Sequence, residues 1–546
     1  MTRTSEEIAR GLAPARPARP IVPGTRLHVM GVGGAASAGA ALHAAAVGAV
    51  VTACDAGGPD PLSLVVEAAG IPVAWANGAE HIEADGSARV DRLAATKAVT
   101  SVHPDHPELE AARTHGLPLE SVQQVIADAA ATRGQRLIGV TGTHGKSTTS
   151  GWLLHILAAA ERDPAGFVGA QLPGSITGGA RGVARFGAGT EFVVEADEYA
   201  GNFDPYLPAI ALLISAEWDH PDVFPDEPSV VRAFAAWIRR GRDETQPGGM
   251  ATLVANVGDA GVRHVVDALA DWEGRRILVN LESPEAASSA GVDAWVSRLQ
   301  DRGGHRVVGR ITGEDGDGTG LEIRGLRGPG DSTVDRARVG LIGRHLAIDA
   351  LMAAAGAMAA GVPADATLPA LATFEGVGRR FELKGDVNGV VVLDDYAHHP
   401  TAMRATFAAA RLRYPGRRLW AVYEPLTFHR TAAMLDAFAD VLAEADRAVV
   451  IDIWAVRDPD TSIASAAALA EATSRRSGVP AVAPGSPEAT ADYLAGVVEP
   501  GDVVLVMGGG RSYVAADRLV ATLAQRDAER ISAQGGRDRR DRRDRP

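Results

Sequence analysis

The pattern of apolar and polar positions along the chain predicts strands that alternate with amphipathic helices. Residues 27–30 form a short apolar strand pattern, an Ala-rich helical pattern follows, and residues 50–53 form the next strand. The same order recurs where the strand pattern of residues 137–140 precedes apolar residues at helical spacing over residues 147–160. From about residue 378 onwards, further strand patterns are each followed by a helical pattern. Strands that alternate with helices predict mostly parallel sheets.

Chain length and composition indicate that these segments belong to several globular domains. A chain of 546 residues is too long for one hydrophobic core, and 46% apolar with 22% charged residues is typical of folded domains. We therefore predict an α/β protein with an N-terminal Rossmann-like domain, a central phosphate-loop domain with a parallel sheet, and a C-terminal Rossmann-like domain. The predicted boundaries are a disordered lead at 1–24, domains at 25–134, 135–376 and 377–530, and a disordered charged tail at 531–546.

Charge, cysteine content and hydropathy narrow the classes of function. The net charge of −14 argues against a nucleic-acid partner. A single cysteine, Cys54, excludes an internal disulfide and fits a reducing compartment. The chain has no continuous apolar run of about 18 residues, and its first residues lack the apolar core of a signal peptide. We therefore expect a cytoplasmic protein without a membrane span, as a monomer or weak homodimer.

The segment TGTHGKST, residues 141–148, predicts a phosphate-binding loop between a strand and a helix. Gly142 and Gly145 allow a tight turn, and the helix that follows directs its free N–H groups toward an anion. Lys146 lies where its ammonium reaches a β- or γ-phosphate, and the Ser147 hydroxyl can ligate Mg²⁺. The alternative is an ordinary strand–helix turn that binds no ligand. The glycine spacing, the Lys-Ser pair and the flanking strand and helix together argue against this alternative. The predicted nucleotide contacts here are Gly142, Thr143, His144, Gly145, Lys146, Ser147 and Thr148.

An earlier glycine turn, GVGG, lies between the first strand and the Ala-rich helix. Gly31, Gly33 and Ala36 fit a dinucleotide-type fingerprint loosely, and Asp55 follows the next strand where a ribose-binding acid belongs. The pattern is compatible with NAD, with a nucleotide-sugar, or with a turn that binds nothing. The turn therefore predicts substrate contacts at Gly31, Gly33, Gly34 and Asp55, and it leaves the identity of the ligand open.

Two acidic segments follow two further strand patterns. Glu195, Asp197 and Glu198 end one strand, and Asp219 and His220 follow the next. Carboxyl ends of parallel strands gather ligands, and hard oxygen donors with an imidazole indicate a divalent metal beside the nucleotide. The alternative is a pair of loops whose acids cap the following helices. Their occurrence with a phosphate loop in one domain favours the metal site.

The order of motifs resembles one family. Over roughly residues 26–520, six motifs follow one another in an order that resembles the Mur ligases of peptidoglycan precursor synthesis. These motifs are TGTHGKST, VEADEY, EWDHPD, GVGRRFELKG, DDYAHHPT and DVVLVMGGG. The resemblance implies an ATP-dependent ligase that phosphorylates the carboxylate of UDP-N-acetylmuramate and then joins L-alanine to the acyl phosphate. The DHPDVF segment is also similar to the branch that attaches a recycled peptide to the same sugar nucleotide. A non-catalytic nucleotide-binding paralogue is a further alternative.

The resemblance also assigns roles to residues. It implies that Lys146 holds the β- and γ-phosphates, that Ser147 binds one Mg²⁺, and that Glu195 and His220 bind a second. In the C-terminal domain it implies catalytic roles for Arg380 and Asp395 and a substrate contact at His399. His345 and Asp349 match positions close to the nucleotide.

One departure from the family pattern lies beside the nucleotide. The family has HNxxN on a helix near the adenine, whereas this chain has His345, Leu346 and Asp349 in that spacing. Leucine neither donates nor accepts a hydrogen bond, and an aspartate only accepts. The sequence therefore predicts looser selectivity for the nucleotide base.

Overall fold

The computed structural model describes residues 3–282, 295–299, 303–455, 458 and 460–543, with only the backbone for 531–543. The chain forms two compact units, Met1–Gly378 and Arg379–Pro546. Unit 1 contains two main sheets and unit 2 contains one. The three predicted α/β segments are thus confirmed as three sheets.

The first sheet is parallel throughout and has the order β3-β2-β1-β6-β7. Its central strand is almost fully buried because helices cover the sheet. Its strands are β1 Arg26–Met30, β2 Val50–Cys54, β3 Val73–Ala74, β6 Arg92–Ala95 and β7 Leu119–Ser121, and a separate ribbon holds β4 Glu83–Ala84 and β5 Ser87–Ala88. The helices are α1 Ser5–Ile8, α2 Ala35–Ala46, α3 Pro61–Ala68, α4 Lys97–Val102, α5 Pro107–Thr114 and α6 Val122–Thr132.

The central sheet has ten strands in the order β10-β9-β11-β8-β12-β13-β14-β15-β16-β17. Its strands are β8 Arg136–Thr141, β9 Ala165–Leu172, β10 Gly182–Arg185, β11 Glu191–Glu195, β12 Ile210–Leu213, β13 Thr252–Asn256, β14 Arg275–Leu281, β15 His305–Asp315, β16 Gly318–Arg324 and β17 Val334–Val339. The helices are α7 Lys146–Ala159, α8 Gly174–Thr177, α9 Glu227–Arg239, α10 Ala260–Ala268, α11 295–299, α12 Arg344–Ala359 and α13 Ala364–Thr373.

The prediction of a parallel central sheet is wrong at both edges. Strand β10 runs antiparallel to β9, and β15, β16 and β17 form an antiparallel meander. The short connection between β15 and β16 is the physical reason, because a tight turn can join only antiparallel strands. The inner strands from β9 to β15 are parallel, so their carboxyl ends share one edge.

The lead at 1–24, predicted to be disordered, packs over its described residues on the first sheet, on its helices and on the segment that follows β11. Ile8 and Ile21 are buried, and the Arg16 guanidinium forms ion pairs with Glu120 at 2.6 Å and with Asp128 at 2.7 Å. Asp128 lies on α6 and is fully buried. A buried carboxylate needs a cationic partner, and Asp128 has two, Arg16 of the lead and Arg92 of β6. The Pro/Arg-rich composition concealed this because two apolar anchors are too few to form a pattern.

Unit 2 is built on a six-stranded sheet with the order β18-β19-β23-β20-β21-β22, antiparallel only at β18. Its strands are β18 Glu382–Val387, β19 Val390–Asp395, β20 Arg418–Glu424, β21 Arg447–Ile451, β22 Val482–Gly485 and β23 Asp502–Gly508. The helices are α14 Pro400–Arg413, α15 Phe428–Ala433, α16 Leu435–Leu442, α17 Ala466–Ser477, α18 Pro487–Val497 and α19 Ser512–Arg543.

The charged tail also differs from its prediction. Helix α19 continues to Arg543, and residues 544–546 lie outside the described part of the chain. The first turns of α19 are anchored by buried Ala515, Ala516 and Leu519. Once a helix is nucleated in this way, each added residue forms one more backbone hydrogen bond at little cost. In the described residues no helix combines the length and apolar character needed to cross a membrane.

Candidate active site

The phosphate loop joins β8 to α7 and requires glycine at two positions. Gly142 has φ 142°, and a Cβ placed there would lie 2.8 Å from the backbone nitrogen of Ser215. Gly145 has φ 81°, and a Cβ there would lie 2.5 Å from Asp349 Oδ1. Both positions combine a left-handed backbone with a close neighbour, so only glycine fits without strain.

The loop is fastened to the segment that follows β12. The backbone N–H of His144 donates to Ser215 Oγ at 2.8 Å, and Thr143 Oγ1 donates to the carbonyl of Glu217 at 3.0 Å. Beyond the loop, the first N–H groups of α7 have no intrahelical partner and face the loop, as at any helix start. The residues of that first turn are Lys146, Ser147 and Thr148. The residues from Gly142 to Thr148 therefore form one continuous turn that leads into a helix start, and their contact with a nucleotide stays a prediction.

Lys146 lies between the loop and two carboxylates. Its Nζ donates to the carbonyl of Gly142 at 2.6 Å and lies 2.9 Å from Glu198 Oε2 and 3.8 Å from Asp197 Oδ1. Burial alone would lower the pKa of Lys146, but Glu198, Asp197 and Glu195 outweigh it and raise this pKa above its ordinary value. Lys146 therefore holds a full positive charge beside the phosphate loop.

Asp197, Glu198 and His220 form a group that could hold a cation. Their ligand atoms all lie within 4.8 Å of one another. His220 Nε2 is 3.8 Å from Glu198 Oε1, and the ring stands edge-on to Tyr199 with centroids 5.0 Å apart. Strands β11 and β12 lie on either side of β8, which explains why the segments after both strands meet at the loop. The sequence pattern indicated the acids but not that Glu198 would be the one beside Lys146.

Glu195 has a different environment from the one predicted for a ligand paired with His220. It is the last residue of β11, and its Oε2 accepts a hydrogen bond of 2.7 Å from the backbone N–H of Gly169 on β9. The structure groups His220 with Asp197 and Glu198 instead. The metal-binding role of Glu195 stays a prediction.

Helix α12 places the two residues of the altered HNxxN segment near the loop. Asp349 is 5% exposed, and its Oδ1 lies 2.5 Å from the position that a Cβ on Gly145 would occupy. Burial lowers the pKa of His345 to about 4, so its imidazole is neutral near pH 7. Leu346 is also buried. Asp349 therefore lies beside the phosphate loop, and the nucleotide contacts predicted for His345 and Asp349 stay predictions.

The N-terminal glycine turn is closed by Asp55. The backbone N–H of Gly33 donates to Asp55 Oδ2 at 2.6 Å, and that of Gly57 donates to Oδ1 at 2.8 Å. Gly31 has φ 70°, and Gly34 precedes the first residue of α2. The four predicted residues lie together, and the carboxylate is already bonded to two backbone amides.

In unit 2, Arg379 organises the carboxyl edge of the sheet. Its Nε lies 3.1 Å from Asp394 Oδ2, and its other nitrogens donate to the carbonyls of Gly510 at 2.9 Å and Gly508 at 2.8 Å and to Ser512 Oγ at 2.8 Å. Burial raises the pKa of Asp394 to about 6, and Arg379 opposes the shift. Sequence reasoning did not select Arg379, although it is the first arginine of the GRRFE motif.

The predicted pair of Arg380 and Asp395 lies beside this network. Asp395 Oδ2 accepts from the backbone N–H of Phe381 and Oδ1 from that of Ala397, each at 2.7 Å. Burial raises the pKa of Asp395, while the positive charge of Arg380 opposes the rise. The Arg380 guanidinium lies over the Tyr396 ring at 4.7 Å.

His399 and Glu424 complete this edge. His399 Nδ1 accepts a hydrogen bond of 3.4 Å from the backbone N–H of Thr401 and thereby caps α14. Glu424 Oε2 accepts from the N–H of Ser512 at 2.8 Å, and burial raises the pKa of Glu424 to about 7. The substrate contact predicted for His399 stays a prediction, and sequence reasoning did not select Glu424.

Comparisons with known proteins identify the family. The model of the Mur ligase family catalytic domain matches residues 26–133, and that of the Mur ligase glutamate ligase domain matches residues 379–510. The UDP-N-acetylmuramate–L-alanine ligase of Frankia casuarinae is 36% identical over 450 residues, covering 80% of this chain and 84% of that protein.

Solved structures show the same fold. A UDP-N-acetylmuramate–alanine ligase from Thermotoga maritima matches with a TM-score of 0.69 at 20% identity, covering 93% of this chain and 99% of that one. A murein peptide ligase from Psychrobacter arcticus matches with a TM-score of 0.67 at 23% identity, covering 92% and 99%. The relative that is 36% identical over 80% of this chain shows the family, and the shared fold, the ordered motifs and the phosphate loop agree with it. The chain belongs to the Mur ligase family of ATP-dependent amide ligases of peptidoglycan biosynthesis.

Proposed function

We propose that the protein joins L-alanine to UDP-N-acetylmuramate at the expense of ATP. The observation that carries this proposal is the 36% identity over 80% of the chain with a relative named for that activity. The phosphate loop with a charged Lys146 supports the use of a nucleoside triphosphate. ATP, UDP-N-acetylmuramate and L-alanine are therefore the proposed substrates.

The proposed reaction has two steps. A carboxylate oxygen of the sugar attacks the γ-phosphorus of ATP, the bond to the bridging oxygen breaks, and ADP leaves. The amine nitrogen of alanine then attacks the acyl carbon, phosphate leaves with the electron pair of the C–O bond, and one amine proton is lost. Both steps bring anions together, so charge neutralisation and positioning supply most of the catalysis.

The residues of unit 1 suit these needs. The loop amides and the Lys146 ammonium would bind the β- and γ-phosphates and offset the negative charge of the transferring group. The carboxylates of Asp197 and Glu198 with the His220 imidazole are a donor set that accepts a divalent cation, and the Ser147 hydroxyl is a further oxygen donor. When bound, Mg²⁺ supplies positive charge to the phosphate oxygens. The roles predicted for Glu195, Arg380 and Asp395 stay predictions.

A second candidate is the attachment of a peptide to the same sugar nucleotide. It is favoured by the murein peptide ligase structure, whose TM-score of 0.67 is close to the 0.69 of the alanine ligase. Both candidates share the nucleotide chemistry and differ in the amine. The amine is therefore the quantity to test.

The experiment is a phosphate-release assay with ATP, Mg²⁺ and UDP-N-acetylmuramate. The amine is L-alanine, glycine, L-serine or the tripeptide L-alanyl-γ-D-glutamyl-meso-diaminopimelate. We expect release that depends on every component and is fastest with L-alanine, together with a product whose mass equals that of the alanine amide. Release only with the tripeptide would transfer the assignment to the second candidate. No release with any amine would refute both.

A further inference from the structure

A second group of metal-binding residues lies in the first sheet of unit 1, on a different sheet from the phosphate loop. It consists of His28, Cys54, His81 and Glu108, whose ligand atoms all lie within 4.8 Å of one another. His28 is in β1, Cys54 ends β2, His81 ends the 3₁₀ turn Ala79–His81, and Glu108 is in the first turn of α5. Neither the proposed ligase reaction nor the motifs above use these residues.

Strand register explains why two of the donors face the same way. His28 pairs with Thr52, and Met30 pairs with Cys54, in the parallel ladder of β1 and β2. Side chains two residues apart on a strand lie on the same face, so Cys54 and Thr52 share the face of His28. That face packs against α5, which places the Glu108 carboxylate over the two strands.

Glu108 is the centre of the group. Its Oε2 lies 3.3 Å from Cys54 Sγ and 3.4 Å from His28 Nε2, and its Oε1 lies 2.8 Å from His81 Nδ1. Zn²⁺ binds such ligands at about 2.0–2.3 Å, which puts neighbouring ligands of a tetrahedral site roughly 3.3–3.8 Å apart. The distances from Glu108 Oε2 to Cys54 Sγ, 3.3 Å, and to His28 Nε2, 3.4 Å, lie in this range.

His28 supplies an independent sign of a ligand. It is 1% exposed, and its Nε2 meets no hydrogen-bond geometry with a described residue beyond its ion-pair partner Glu108, whose Oε2 lies 3.4 Å away. Its Nδ1 lies 2.8 Å from Thr52 Oγ1. When Nδ1–H donates to this hydroxyl, the lone pair is on Nε2 and is directed at the Glu108 carboxylate. Metal-bound histidines are oriented in this way by a hydrogen bond at the other nitrogen.

We propose that His28, Cys54, His81 and Glu108 bind a zinc-class transition-metal ion in a closed structural site. Two imidazoles, one thiolate and one carboxylate are typical tetrahedral ligands of Zn²⁺ and contain too few oxygens for Mg²⁺ or Ca²⁺. The thiolate and the carboxylate together balance the charge of a divalent ion. Binding would displace the thiol proton and tie α5 and the 3₁₀ turn to the sheet. The competing occupant is a proton shared between the buried histidine and Glu108.

Because Cys54 is the only cysteine of the chain, a thiolate-to-cobalt charge-transfer band reports on this site and not on the cation group of Asp197, Glu198 and His220. The full-length protein, stripped of metal with a chelator, is titrated anaerobically with Co²⁺. We expect a thiolate-to-cobalt charge-transfer band that saturates at one equivalent and disappears when Zn²⁺ is added. We also expect the thiol to react more slowly with a disulfide reagent after Zn²⁺ addition. A cobalt spectrum without a thiolate band would overturn the proposal.

Variants locate the other ligands. His81→Ala should weaken cobalt binding by on the order of tenfold or more, and Cys54→Ser should abolish the charge-transfer band. The matched control is His264→Ala, since His264 is an exposed histidine of the same unit with a 62% exposed side chain. Unchanged cobalt affinity in His81→Ala, or an equal loss in His264→Ala, would also overturn the proposal. Neither the wild-type titration nor the control depends on a variant that might fold poorly.

Discussion

The pairing of Lys146 with Glu198 gives Lys146→Met two separable consequences. The substitution keeps most of the side-chain volume but removes the ammonium. Lys146 is 14% exposed and Glu198 is 2% exposed, so the pair lies largely inside the protein. Its loss therefore affects stability as well as phosphate binding.

The magnitude of the stability loss has an upper limit set by proton uptake. Removing one partner of a buried ion pair costs about 3–5 kcal/mol if the other charge remains. The Glu198 carboxyl can instead bind a proton, and pH 7 lies about 2.5 units above its ordinary pKa of 4.5. At about 1.4 kcal/mol per unit, protonation of a carboxyl that is fully ionised beside Lys146 costs at most ~3.5 kcal/mol at pH 7. Burial already raises the pKa of Glu198 to about 7 in the wild type, so the loss is smaller than this limit. The folded variant binds the proton more tightly than the unfolded chain, so this loss shrinks as the pH falls toward 4.5.

Denaturant unfolding at several pH values tests the stability, and phosphate release tests the chemistry. Lys146→Met should have a lower free energy of unfolding than the wild type at pH 7, by no more than about 3.5 kcal/mol, and should approach the wild type near pH 4.5. In the double variant Lys146→Met with Glu198→Gln, this extra pH dependence should vanish. Turnover should fall by on the order of a hundredfold or more in both, by analogy with other charge-stabilising groups. A variant with wild-type turnover, or with a loss that does not change with pH, would refute the reasoning.

Three further predictions follow from the same contacts. His220→Ala should raise the Mg²⁺ concentration for half-maximal turnover on the order of tenfold, because it removes a donor from the cation group; an unchanged Mg²⁺ dependence would contradict that role. Burial lowers the pKa of His43 from 6.5 to about 4. The free energy of unfolding of the wild type should therefore fall by about 3 kcal/mol as the pH drops from 6.5 to 4. His43→Gln should remove this decrease in denaturant unfolding, and a pH profile identical to the wild type would disprove the prediction. Restoring the amides with Leu346→Asn and Asp349→Asn should lower the rate with GTP relative to ATP, as measured by kcat/KM, and strict ATP preference in the wild type would contradict the prediction.

Much of the fold could be predicted because the apolar strands are buried on both faces. Strands such as β12 and β23 are buried over their whole length, and such runs are visible in the sequence. The antiparallel meander β15–β17 was not predictable as such, since its burial alternates irregularly and its turns decide its direction. The ordered lead was missed because its main anchor is Arg16, whose partners Glu120 and Asp128 lie more than a hundred residues away.

Within the candidate site, local motifs were predictable and long-range partners were not. The loop from Gly142 to Thr148 is contiguous, and its glycines have a local steric cause. The choice of Glu198 rather than Glu195 beside Lys146 depends on how the chain turns after β11, where Ala200 has φ 48°. No periodicity or spacing encodes that turn. The grouping of His28, Cys54, His81 and Glu108 could not be predicted for the same reason, because the four donors come from four separate elements.

The acids at the strand ends differ in how much of their bonding capacity is already used. Asp55 closes the first glycine turn through two backbone N–H groups, and Asp395 holds the N–H groups of Phe381 and Ala397. Each carboxylate oxygen keeps a further lone pair, so neither acid is excluded from a ligand. Their bonds nevertheless fix the local backbone, which makes them positioning residues as the structure stands. Glu198 differs from both because its partner is a charged side chain, and a bound phosphate would compete with it for Lys146. The carboxylate that a bound nucleotide would most readily free for a metal ion is therefore Glu198.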